Sequence, residues 1–272
     1  MTRNPCCRNW QPLCGCAGAS SVAAQGTLFR LDGRTALVTG AGRGVGVGIA
    51  RALGQCGARL LVNDLFAERA QQTCAELCEE GIDATAIAFD VTDLAAVQSA
   101  VAAAGAIDIL VNNAGIPGRE GMELRRFIDQ SPAEWRPQVD VNLYGTLNCV
   151  HAVLPGMRDR GWGRVIVVSS DAGRVGTNTG VTIYGACKAA MVQFMRNLSQ
   201  EVADLGVTAN AIALGPMDNL PQEFTEFIIK GVPVKRLGTP ADAGAAVVYL
   251  ASEESAWVTG QLLPVNGGIA PA

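Results

Sequence analysis

Aromatic residues are scarce in this 272-residue chain, at 5%, and charged residues make up only 17%. Histidine occurs once, as His151. A lone imidazole inside a helical stretch reads as a packed or surface group, so no catalytic role is assigned to it. No uninterrupted apolar run reaches the roughly 18 residues of a membrane span, which argues against a membrane partner and for a soluble protein. The net charge of −4 and the lack of any basic stripe argue against nucleic acid. A secretory signal is also missing, so the odd count of nine cysteines reads as reduced thiols in a cytoplasmic protein. Cys74 and Cys78 share a helix face, but no second ligand pair stands at zinc-like spacing, and no metal site is expected.

What the chain does have is 49% hydrophobic residues and 32 glycines without a period, enough to bury one large core. Residues 1–30 stand apart. They carry arginines, no acidic side chain and no hydrophobic period, and they read as a disordered or non-native extension. From residue 31 to 272 a single domain is expected. Short apolar strands begin at Thr35, Arg59, Ala84, Ile107, Arg164, Val207 and Leu262, with helical segments between them. One long helix is predicted over 132–160 and another over 184–204. This alternation predicts an α/β fold, a Rossmann-type doubly wound parallel sheet of about seven strands with helices on both faces.

Two local patterns carry chemistry. Thr39-Gly40-Ala41-Gly42-Arg43-Gly44-Val45-Gly46 follows the first strand and opens a helix. Glycines there let the backbone approach a pyrophosphate, and the helix N-terminus offers unpaired N–H groups. Asp64 ends the second strand, where a carboxylate can accept from ribose hydroxyls and repel a 2′-phosphate. Leu65 and Phe66 follow it in place of a cation, so NAD is favoured over NADP, with Arg43 as the residue that keeps NADP open. The second pattern is Tyr184 and Lys188, about one helical turn apart and therefore on one face. A cation near a phenol favours the phenolate, which makes Tyr184 a candidate acid/base.

Together with Asp90-Val91, Asn112-Asn113-Ala114-Gly115 and the closing Val265-Asn266-Gly267-Gly268, these segments resemble the short-chain dehydrogenase/reductase family over about residues 32–268. The resemblance implies a hydride transfer between NAD(H) and a secondary alcohol or ketone of alicyclic, steroid or 3-oxoacyl-thioester type. It implies Tyr184 as general acid/base, Lys188 on the nicotinamide ribose, Ser170 (with Ser169 as the neighbouring alternative) on the substrate oxygen, and Asn142 as anchor of a water leading protons to the lysine. Cofactor contacts are implied for Gly40, Arg43, Gly44, Val45, Gly46, Asp64, Asp90, Val91, Asn113, Ala114, Gly115, Tyr184, Lys188 and Met217. Assembly as a homotetramer or homodimer through the two long helices is a further implication. Leu214 and Asn219 depart from the family pattern, standing where it has proline and threonine. The substrate is expected to meet residues 116–130, 171–183 and 218–236, with Phe224, Phe227, Ile228 and Ile229 as an apolar lid or as core packing. The reading from another class is a catalytically inactive dinucleotide sensor or scaffold of the same fold.

Overall fold

The computed structural model describes residues 28–116, 124–219 and 222–271. Seven parallel strands form one sheet in the order β3-β2-β1-β4-β5-β6-β7. They are β1 (Thr35–Val38), β2 (Arg59–Asp64), β3 (Ala84–Ala88), β4 (Ile109–Asn112), β5 (Gly163–Ser170), β6 (Val207–Leu214) and β7 (Leu262–Val265). The strands alternate in which face they bury. Ala36, Val38, Leu60, Val62, Ile109, Val111, Ile166 and Ile212 face one core. Leu37, Leu61, Leu110, Val165, Val167, Ala209 and Ala211 face the other. Burial on both faces is why these strands read as continuous apolar runs.

Helices α1 (Gly44–Gln55), α2 (Ala67–Glu79) and α8 (Pro240–Ala251) cover the first face. The second is covered by α3 (Leu94–Ala104), α5 (Gly145–Arg160) and α6 (Thr182–Val202), while α4 (Pro132–Val139) leads into α5 and α7 (Gln222–Gly231) follows β6. Several ends have a chemical cause. Asp93 accepts from the amides of Ala95 and Ala96 at the start of α3, and Thr239 with Asp242 forms a capping box on α8. Leu31, 2% exposed, donates its amide to the Cys56 carbonyl, so the fold is engaged from about this residue. The predicted extension over residues 1–30 lies outside the described residues as far as residue 27.

The long helix expected over 132–160 is interrupted. Asp140–Tyr144 form a π-helical turn, in which the Gly145 amide donates to the Asp140 carbonyl five residues back. The Asn142 side chain takes the Gln138 carbonyl instead, with Nδ2 at 2.9 Å. Such a widened turn re-aims the side chains that follow it and is frequent at functional sites. Helix α8, between Pro240 and Ala251, was not anticipated, because its alanine- and valine-rich pattern has little polar face to set a period.

Candidate active site

The strand order reverses between β1 and β4, and the crevice beyond their carboxyl ends is where an open α/β sheet receives a ligand. The sequence builds this crevice tightly. Thr39 Oγ1 accepts from the amides of Asn113 and Ala114 at 3.1 and 3.0 Å. Asn113 Nδ2 donates back to the carbonyls of Thr39 and Gly40 at 2.9 and 3.0 Å. Asn113 therefore locks the glycine turn to β4. Gly40 takes φ +60°, and a Cβ on Gly46 would lie 2.4 Å from the Gly40 carbonyl oxygen, so the turn has no room for a side chain there.

At the mouth of the turn, Arg43 occupies the N-cap of α1 without a capping side-chain bond, and the first turn of the helix carries no acidic residue. The amides of that turn, Gly44 and Val45 among them, are left for an anion. Asp64, 6% exposed, accepts from the amides of Gly42 (3.2 Å) and Phe66 (3.0 Å). These two bonds hold its carboxylate beside the glycine turn. Asp90 lies further along the rim, where its Oδ1 accepts from Thr92 N and Oγ1, both at 2.8 Å.

Two of the residues assigned to the cofactor put their side chains elsewhere. Val91 is buried in the second core, against Gly145 of α5. Met217 is buried in the first core and pairs by backbone with Gly238.

The candidate catalytic side chains converge from β5, α6 and the π-helical turn. Lys188 is buried, and its Nζ donates to the Val168 carbonyl at 2.9 Å. Burial pushes its pKa down to about 8. The same nitrogen stands 5.5 Å from the centroid of the Tyr184 ring. Tyr184 is half-buried, and its pKa lies above the usual tyrosine value because burial disfavours phenolate, although a hydrogen bond from Ser170 pulls it back. This reverses the expectation for the chain by itself, in which the neighbouring cation lowers the phenol.

The serine pair is split in role. Ser169 is buried and donates to the Lys188 carbonyl at 3.0 Å, pinning α6 to β5. Ser170 stands at the rim, and its Oγ accepts from Ala172 N at 3.2 Å. Asn142 is fully buried, and its Oδ1 has no hydrogen-bond partner among the described residues.

Gly115 sits where these groups meet. A Cβ there would lie 2.8 Å from Asn142 Oδ1 and 3.3 Å from Lys188 Nζ. We therefore expect Gly115→Ala to displace one of two buried polar groups and to lower kcat about tenfold to a hundredfold with the fold retained, as steady-state kinetics and a thermal melt will check.

Two further amides shape the crevice: Asn63, which has no assignment from the sequence, and Asn112, the first residue of the Asn-Asn-Ala-Gly segment. Asn63 fixes the turn from below, accepting from Gly40 N at 3.4 Å and donating to Ile87 and Phe89 carbonyls, both at 3.1 Å. Asn112 is buried, and neither of its amide atoms has a partner among the described residues. A polar amide closing an otherwise apolar strand is the signal that both share. Within the 171–183 segment, Asp171 and Arg174 bond one another at 2.9 Å. In the lid region, Phe227 is 79% exposed on α7, while the Phe224 side chain lies outside the described residues.

Residues 40–270 match the family model described as enoyl-(acyl carrier protein) reductase. The oxidoreductase UcpA of Salmonella typhimurium is 37% identical over 258 residues, covering 89% of this chain and 96% of its own. A 3-oxoacyl-[acyl-carrier protein] reductase of Brucella melitensis, solved with bound NAD, is 34% identical with a TM-score of 0.85, over 94% of this chain and 99% of that one. A gluconate 5-dehydrogenase of Burkholderia cenocepacia, solved with NADP and tartrate, is 35% identical with a TM-score of 0.82, over 89% of this chain and 96% of that one. Fold, crevice and relatives agree, and the chain belongs to the short-chain dehydrogenase/reductase family of oxidoreductases.

Proposed function

We propose that this protein is an NAD-dependent dehydrogenase/reductase that interconverts a secondary alcohol and a ketone at Tyr184. The observation that carries the reading is the convergence of Tyr184, Ser170, Lys188 and Asn142 beside a glycine turn with uncapped helix amides. The crevice fits a dinucleotide by its own features: no acidic side chain in the first turn of α1, and a carboxylate fixed at the ribose end. When bound, the nicotinamide supplies or accepts the hydride. The chain contributes orientation and proton control. Ser170 holds the substrate oxygen and stabilises charge developing on it, while Tyr184 gives that oxygen a proton in reduction and removes it in oxidation. Lys188 and Asn142 Oδ1, without a partner among the described residues, line the route by which Tyr184 exchanges its proton with solvent, and Gly115 keeps that space open.

Burial disfavours the Tyr184 phenolate, so the phenol is the form at hand for proton donation in the reductive direction. NAD is favoured over NADP because Asp64 holds a carboxylate where a 2′-phosphate would bring a second negative charge. Apolar side chains exposed on segments expected to meet substrate (Leu124, Val175 and Phe227) support a substrate with an apolar body, of alicyclic, steroid or 3-oxoacyl-thioester type. Assembly as a homotetramer or homodimer through α5 and α6, in the cytoplasm, completes the proposal on the family's example.

The test is a panel followed at the reduced-nicotinamide absorbance: acetoacetyl-CoA, cyclohexanone with cyclohexanol, and a hydroxysteroid with its ketone, each with NAD(H) and NADP(H). Turnover of at least one pair, faster with NAD(H), is expected. Tight cofactor binding without turnover of any pair would instead favour the inactive sensor.

A further inference from the structure

We infer that Asp171, Arg174 and Asn266 are positioning residues: they hold the Ser170 hydroxyl in working geometry by tying its loop to the C-terminal segment 266–270. The inference rests on the roles proposed above for Ser170 and Tyr184 and adds to them. Asp171 follows Ser170 directly and opens a short 3₁₀ turn, Asp171–Gly173. Its carboxylate gathers two donors. Arg174 Nη1 reaches Oδ1 at 2.9 Å, and Asn266 Nδ2 reaches Oδ2 at 2.9 Å and Oδ1 at 3.2 Å. Both donors also meet the Ala270 carbonyl, each at 2.9 Å. The Asn266 oxygen accepts from Gly268 N at 3.0 Å. Three side chains and one carbonyl thus close a ring, with Asp171 and Arg174 side chains only 13% and 12% exposed.

The ring acts on the turn that aims Ser170. Ser170 Oγ accepts from Ala172 N at 3.2 Å, so the direction left for its O–H depends on the shape of residues 170–172. On the other side the turn is pressed against the catalytic helix, where a Cβ on Gly185 would fall 2.5 Å from the Ala172 carbonyl oxygen. The turn is therefore clamped between α6, which carries Tyr184 and Lys188, and the chain end. The same end reaches the walls of the crevice. Gly215 N donates to the Val265 carbonyl, and Val234 N, just beyond α7, donates to the Gly267 carbonyl, both at 3.2 Å.

The sheet does not need this ring, since β5, β6 and β7 are already in register. A largely buried ion pair is also a poor way to gain stability, because desolvation offsets much of the attraction. What it supplies is fixed orientation beside a reacting group, where small displacements are costly.

The experiment measures kcat, KM and the pH profile with NADH and acetoacetyl-CoA, or with the panel pair that the wild type turns over. Arg174→Met and Asn266→Ala are each expected to lower kcat on the order of 10- to 100-fold. NADH affinity should not change. The alkaline limb of the reductive profile should move to higher pH, because a weakened Ser170 bond no longer lowers the Tyr184 pKa. Arg174→Lys should recover part of the loss, and the double variant should be no worse than the poorer single one, since both act on one carboxylate.

Asn266→Ala leaves the Asp171–Arg174 pair in place and serves if Arg174→Met does not fold. Wild-type kcat and an unmoved pH limb in Asn266→Ala, beside an impaired Ser170→Ala, would overturn the inference and leave the reading of the site intact. Loss of NADH binding and far-UV dichroism together in Asn266→Ala would make the ring a fold element and overturn it too. Full activity in Ser170→Ala would remove the reading itself and the inference with it.

Discussion

Tyr184→Phe is expected to lower kcat in both directions by about 10²- to 10⁴-fold, the range that a positioned general acid/base contributes, while the Kd for NADH stays within a factor of about two. The substitution removes one oxygen from a half-buried ring on α6 and leaves the ring itself in place. Lys188 keeps its bond to the Val168 carbonyl, and the glycine turn is remote in sequence and untouched. A loss in kcat without a loss in cofactor affinity therefore isolates the proton transfer.

The pH dependence follows from the direction of the phenol's shift. Burial raises the Tyr184 pKa, and the Ser170 bond only partly reverses this, so phenol is the form present through neutrality. Reduction needs the phenol and should be flat through neutral pH, then fall once the pH passes the Tyr184 pKa. Oxidation needs phenolate and should rise over the same interval. Parallel kcat profiles for the two directions check this. A reductive limb already falling near pH 7 would mean that the phenol is depressed by Lys188 after all.

The architecture was legible in the sequence because the strands are buried on both faces and punctuated by glycine, giving short apolar runs at regular spacing. Segments such as Leu60-Leu61-Val62 admit few other readings. The places of Tyr184, Lys188 and the glycine turn in the fold were legible for a related reason: each stands after a strand or at a helix start. The break at Asp140–Tyr144 does not show in the hydrophobic pattern, which runs on smoothly, and only Asn142, a polar amide inside the helix, marks it as a helix-distorting group. It comes from one side-chain amide outcompeting a backbone amide for the Gln138 carbonyl, a contest that periodicity does not record.

The sign of the Tyr184 shift was also out of reach. The four-residue spacing shows a cation near a phenol but says nothing of how dry both groups are, and desolvation wins here. The Asp171–Arg174–Asn266 ring was invisible for the simplest reason. It joins residues 95 positions apart.

Asp64→Ser is expected to move the ratio of kcat/KM for NAD over NADP by about two orders of magnitude toward NADP. The wild-type carboxylate is held at the rim of the glycine turn by the amides of Gly42 and Phe66, so it cannot swing away from an approaching anion. A phosphate brought against a fixed, largely buried carboxylate meets a like charge, and such a juxtaposition costs several kcal/mol, where about 1.4 kcal/mol is a factor of ten. Serine removes the charge and keeps a hydroxyl that can bond the ribose.

Two arginines belong to the same rim. Arg43 occupies the N-cap of α1, and the Arg69 guanidinium lies 4.4 Å from the centroid of the Phe66 ring, with its Cβ 2.7 Å from a Cβ built on Gly42. Once the carboxylate is gone, these two arginines are the groups that a 2′-phosphate would meet. NADP use in Asp64→Ser should therefore weaken steeply with added salt, whereas NAD use should not. Initial rates with both cofactors at low and high ionic strength check both statements. An unchanged cofactor ratio in Asp64→Ser would place the discrimination elsewhere than at the end of β2.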